Sequence, residues 1–204
     1  MQLEGVTYAG PPFERSDSEL LVALPRNLRS LLEQLNGFIL HSGGLHVRGV
    51  CESPEWHSLR SVMFGPSALH VAYPALLASD VPFAQDCVAD QFVLRAASVH
   101  KLSSEIGTLE ALDLDLPAFL EEVASSPVEF LGMHPLLQHE RESSSPLLPG
   151  QVLSVYPPFC TKEAANGVSL RPVPVAEALS FLSGFSASTR CLPEGKPIHV
   201  KVVP

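Results

Sequence analysis

Basic residues are scarce in this chain: 13 Lys and Arg stand against 22 Asp and Glu, a formal net charge of −9 at pH 7. That balance argues against a nucleic-acid partner, because neutralising phosphates takes a concentrated basic face. It tilts instead toward basic protein partners, although net charge also serves solubility. Cysteine is sparse too. Cys51, Cys87, Cys160 and Cys191 stand far apart with no CxxC, which fits free thiols in a reducing compartment better than a disulfide framework. Long apolar runs are missing: no stretch approaches the ~20 residues that span a bilayer. The opening MQLEGVTYAGPPFERSDSE has neither a basic leader nor an apolar h-region. The expectation is a soluble, unexported, cytoplasmic chain with no membrane partner.

Signatures of catalysis and of cofactors are also lacking. Neither GxGxxG nor GxxxxGK[ST] occurs, so no phosphate cradle and no nucleotide cofactor is expected. The 8 histidines include His41 and His46 around Gly43-Gly44, and His134 and His139 further on, but a spacing of five is poor for one helical face. With no HExxH and no cysteine pair, no metal is expected. Ser42 in HSGG lacks a GxSxG elbow. Cys160 in YPPFCTKE lacks a thiol-protease signature and reads as a small buried apolar residue. These absences point away from an enzyme.

What is there is the apolar content of a globular protein: 46% hydrophobic over 204 residues, enough to bury a sizeable core. Its 19 prolines punctuate that content into many short elements. Residues 1–19, rich in Pro, Gly, Ser and charge, read as an irregular arm. In LPRNLRSLLEQLNGFILHSGG the residues Leu28, Leu31, Leu32, Leu35 and Ile39 recur at helical spacing. Pro25 suits the first turn, Gly43-Gly44 the stop, and Gly37 inside costs ~1 kcal/mol relative to Ala. GLHVRGV reads as a strand, and PEWHSLRSVMFG and PSALHVAYPALL as short helical turns.

VPFAQDC, DQFVLRA, SVHKLS and GTLEALDL then follow at hairpin intervals, which predicts an antiparallel meander. DLPAFLEEVASS is a helix with Asp115 as N-cap, able to cover one face of that sheet. The expected class is α+β, an antiparallel meander sheet flanked by helices, with a core over 20–135. HERESSSPLLPG makes 136–150 a loop or boundary. Residues 151–204 supply strand, strand, helix and a last strand in PIHVKVV, a C-terminal extension packing on the core.

The segment FAQDCVADQFVLR sets Asp86 and Asp90 between two strand-like runs. Asp is favoured at such a turn because its carboxylate accepts hydrogen bonds from nearby backbone amides. A cation pocket or acid/base pair would need further ligands or a positioned partner, which this segment does not supply. Trp56 in SPEWHSLR fits a core position or an interface anchor equally well.

LPRNLRSLLEQLNGF, then HSGGL, then VPFAQDCVADQFVLR with SVHKLSSEIGTLEALDLDLPAFLEEV, resembles the SUKH superfamily, the bacterial relatives of the yeast Smi and Knr cell-wall regulators. Pro25, Gly43-Gly44, Phe83, Asp86, Asp90, Phe92, Leu94, Phe119 and Leu120 fill the places of that pattern. Ala89 departs from it, standing where the pattern has Gly. The resemblance covers roughly Leu24 to Val123, and the region from Gln151 looks like an extension found in one bacterial branch. It implies a non-enzymatic protein-binding module, an immunity protein that neutralises a cognate bacterial toxin by direct binding. The alternative is an intracellular scaffold or regulatory adaptor of the Smi/Knr type without a toxin. On the immunity reading a shallow acidic surface meets a basic toxin domain, with Asp86, Asp90, Glu52 and Glu55 pairing with its basic residues and Trp56 as anchor.

Overall fold

The computed structural model describes residues 4–193 and residue 195. Seven strands form one antiparallel sheet in sequence order: β1 Val6–Ala9, β2 Phe38–Leu40, β3 Leu45–Val47, β4 Val81–Asp86, β5 Gln91–Arg95, β6 Ser98–Leu102 and β7 Leu109–Leu114. A second, two-stranded sheet pairs β8 Gln151–Tyr156 with β9 Ser169–Pro174. The helices are α1 Ser18–Ala23, α2 Arg26–Gln34, α3 Leu59–Met63, α4 Leu69–Ala72, α5 Leu116–Ser125, α6 Pro127–Leu131, α7 His134–Ser143 and α8 Val175–Thr189. The class is α+β, with every pairing in the main sheet antiparallel.

Cross-strand partners share a sheet face, so the register sorts the side chains. One row runs Phe38, Val47, Ala84, Phe92, Lys101. Phe92 meets Phe119 of α5 at 4.8 Å between ring centroids, and Phe83 and Phe130 complete that cluster. This is the apolar face. α5 is held there by local chemistry, since Asp115 accepts a hydrogen bond from the Ala118 amide (2.9 Å) and Pro117 sits in the first turn.

The opposite row runs Ile39, His46, Gln85, Gln91, Leu102 and is polar at its centre, yet these residues are buried. What lies over them includes Trp56 and the β8–β9 hairpin with α8. The hairpin is tied on by the Leu153 amide donating to the Cys87 carbonyl at 2.7 Å. A small apolar cluster of Ala89, Val152, Val173, Val175 and Ala178 seals the contact.

Several sequence expectations are corrected. The helix expected to reach Ile39 stops at Gln34: Leu35 is extended, Gly37 turns the chain at φ 76°, and Phe38–Leu40 is a strand. Gly37 is therefore a required turn residue and not a weak helix position. The arm expected over 1–19 holds edge strand β1 and the start of α1. The stretch expected as a loop or boundary over 136–150 is helical through Ser143, where Ser144 at φ 54° ends α7. Gly43-Gly44 closes a single 3₁₀ turn, His41–Gly43. PIHVKVV lies outside the described residues.

At its outer edge β7 is bulged, with the register slipping opposite Val99 and His100 and Asp113 at φ 56°. Glu110 there is exposed. Charge and a bulge both discourage a further strand from pairing.

A methyl group on Gly37 would lie 2.5 Å from the Gly49 amide nitrogen and 2.6 Å from the His57 ring. Left-handed strain and overpacking together predict that Gly37→Ala destabilises the fold by about 2–4 kcal/mol. Urea denaturation checks this, and a loss well under 1 kcal/mol, roughly the scale of an ordinary surface change, would show that the turn relaxes.

Candidate functional site

The β4–β5 turn is built by Asp86. One carboxylate oxygen accepts from the amides of Val88 and Asp90, both at 3.0 Å, and the other accepts from Lys101 Nζ at 2.9 Å. The Asp86 amide returns a bond to the Asp90 carbonyl (3.0 Å), and Ala89 takes φ 68°. Alanine bears left-handed backbone at a cost, but here its fully buried methyl packs in the cluster with Val152, Val173 and Val175, which offsets the strain. The turn role expected of both aspartates is seen for Asp86, whereas the Asp90 side chain bonds the distant Ser104 amide. The contact expected between Asp86 and a partner is corrected: at 2% exposure, with both oxygens used, its carboxylate has no face left for a partner's cation.

Asp90 is placed differently. One oxygen accepts from the Ser104 amide (2.8 Å), and the other lies 3.5 Å from Lys101 Nζ with 19% of the side chain exposed. It opens into a cleft of about 150 Å³ between the turn and the C-terminal region, lined also by Val88, Glu105, Leu153, Phe159 and Phe181. Phe159 and Phe181 are 47% and 42% exposed at its margin. Glu105 fixes the Phe159 loop by accepting from the amides of Phe159 (2.9 Å) and Cys160 (2.7 Å). The cleft thus joins two carboxylates to two exposed aromatic rings, a surface suited to the stem and head of a lysine or arginine.

Burial first, and the Asp86 carboxylate second, push the Asp90 carboxyl up to about 7, against the pull of Lys101 and the Ser104 amide. For Lys101 burial opposes the charge, yet Asp86 and Asp90 together hold its proton above the ordinary value. Cys160, expected to be buried, is exposed. Burial of its sulfur together with the nearby Glu105 still pushes the thiol up to about 11, which disfavours the nucleophilic thiolate.

The five residues expected to meet a partner do not form one surface. Glu55 and Trp56 line a different cavity from Asp90, while Glu52 is exposed in the preceding loop and lines neither. Trp56 is half-buried, packed against Tyr8, His46 and His57 at 5.1–5.3 Å between ring centroids and roofed by Gly150. His46, beside the Gly43-Gly44 turn, is buried and bonded to His57 at 2.8 Å. Burial first, then Arg48 and His57, hold its pKa well below the ordinary value, so His46 is neutral.

Three features escaped the sequence reading: Arg48, the His46–His57 pair, and the Glu105–Phe159–Phe181 rim. Only the last left a signal, in the aromatic beside the proline pair of YPPFC. Among the described residues no group of three or more His, Cys, Asp and Glu is placed to hold a metal ion. No helix among them is long and apolar enough to cross a membrane. No protein-family profile matches the chain, and no curated protein shows significant similarity to it.

Asp90 holds its proton more tightly folded than unfolded. Its stabilising contribution is complete below the ordinary 3.8 and is lost as pH rises toward about 7. His46 runs the other way, contributing above the ordinary 6.5 and losing that contribution as pH falls. Asp90→Asn removes the first slope and leaves the second, so the variant gains stability relative to wild type as pH is raised through this window. Urea midpoints measured across it provide the check; a constant difference would mean that Asp90 ionises as a free carboxyl does.

Proposed function

We propose that this chain is a non-enzymatic protein-binding module that takes a basic side chain of a protein partner into the cleft between Asp90, Phe159 and Phe181. The observation that carries this reading is the pairing of a partly exposed acid with two exposed aromatic rings in one concave place. Exposed phenylalanines cost solubility unless they are used, and beside carboxylates they fit the apolar stem of lysine or arginine. The excess of acid over the whole chain favours encounter with a basic partner.

Within that class the reading is an immunity protein of the SUKH type, which occludes a cognate toxin by binding it directly. The resemblance over Leu24 to Val123 motivates this, and the antiparallel meander followed by the covering helix α5 is compatible with it. Cytoplasmic placement follows from the same reading, as a module that meets its toxin before the toxin acts on the producing cell.

Affinity capture of the tagged full chain from its native cells, run beside Phe181→Ala and Asp90→Asn, tests the cleft. A stoichiometric partner held by wild type and weakened about thirtyfold or more by Phe181→Ala, the scale of an interface hot spot, supports it. The wild-type affinity should also fall with salt. Equal retention by both variants would sink the cleft as the binding site. Co-expression then addresses immunity: the chain should relieve growth arrest caused by that partner, and a partner harmless when expressed alone would favour the adaptor.

A further inference from the structure

Arg48 follows β3 directly, its amide donating to the Phe83 carbonyl at 2.8 Å. The side chain is only 1% exposed. Its guanidinium donates to the Pro82 carbonyl (2.9 Å) and to the side-chain oxygens of Gln85 (2.6 Å) and Gln91 (2.7 Å). Every one of these acceptors is neutral. Among the described residues its Nε has no hydrogen-bond partner, and no carboxylate lies within ion-pair distance. Burial lowers the pKa only to about 9, which leaves the group charged at neutral pH. His46 and His57, whose charged forms Arg48 disfavours, are held neutral mainly by burial and offer no anion.

A buried cation normally carries a buried counter-charge, because desolvating it alone is expensive. Among the described residues Arg48 has none. Arg48 forms part of the wall of a cavity of about 550 Å³ between the α3–α4 region and α8, well within the roughly 300–1,000 Å³ of small-molecule sites. Most of the remaining wall is apolar, from Val62, Leu69, Val175 and Leu179, with Trp56 beside them. Glu55, exposed, is the one acid on the lining and would repel a second negative charge at the outer end of a ligand.

We propose that this cavity binds a small amphipathic monocarboxylate, its carboxylate directed to Arg48 and its apolar chain against Val62, Leu69, Val175 and Leu179. The site is distinct from the Asp90 cleft and does not depend on it. The head group is selected by charge, the body by the apolar wall, and a dianion of similar length is disfavoured by Glu55.

Octanoate is a suitable probe, and Trp56, the only tryptophan of the chain, reports from the wall itself. Titrating octanoate into the full chain should change Trp56 emission saturably and raise Tm by several degrees. Octan-1-ol, lacking the charge, should bind at least about tenfold more weakly, the loss of one charge-assisted hydrogen bond. Suberate, a dianion, should be weaker as well. Two variants guard the result: Arg48→Gln, whose amide can still reach the glutamine network, and Leu179→Phe, which fills the cavity from a partly exposed position. Both should abolish the response. A response to octan-1-ol equal to that of octanoate, persistence of the octanoate effect in Leu179→Phe, or no saturable response at all would each overturn the proposal.

Discussion

A sheet face that is polar and covered must satisfy every group it hides, and most of this molecule is arranged around that constraint. His46, Arg48, Gln85 and Gln91 project from the face opposite Phe92 and are removed from water. A lone amide or guanidinium in such a place costs more than a hydrogen bond returns. The groups therefore answer one another: Arg48 donates to both glutamines, Gln91 donates to the Ala89 carbonyl, His57 donates through Nε2 to the Asn36 carbonyl, and its Nδ1 accepts from His46 Nε2. Two bonded sets result, one tying the β3 exit to the β4–β5 turn through Arg48, the other tying His46 through His57 to Asn36 just before β2. Of the groups of this face, among the described residues, the Arg48 Nε is left without a partner.

Ala89 is where the bonds around Arg48 meet the C-terminal apolar cluster. Its carbonyl accepts from Gln91 on the sheet side and from the Ser104 hydroxyl on the other, while its methyl touches the C-terminal cluster. Two residues away in each direction lie groups of opposite fortune: Cys87, whose carbonyl holds the hairpin, and Gln91, which holds Arg48. Asp90, between them, looks outward with Val88 into the cleft. Its cleft is positioned by the same turn that organises the buried network, so displacement of the hairpin would disturb both.

The central strands were legible in the sequence because each is an apolar run bounded by its own turn residues, and the Asp115 cap was legible because its hydrogen bond spans three residues. The same holds for Asp86, whose turn is closed by amides two and four residues on. Arg48 was not, since its partners lie 34–43 residues away and Gln85 and Gln91 look like ordinary polar positions. Helical spacing misassigned Ile39 because a strand directly after a helix can continue the period by chance, and only the positive φ of Gly37 separates the two. The serines after Glu142 hid how far α7 continues. The aromatic rim was illegible because Phe159 and Phe181 come together only once α8 is folded against the hairpin.

The bulged, acid-bearing edge at β7 has a bearing on how such a protein can change over time. A module that recognises others by lending them a sheet edge must preserve a row of main-chain donors and acceptors, which tolerates many sequences but one geometry. With that edge closed, any contact made at β7 falls to individual side chains standing on a fixed backbone. Each can be exchanged singly, and a new pairing of charge and shape can arise without any strand having to find a new neighbour.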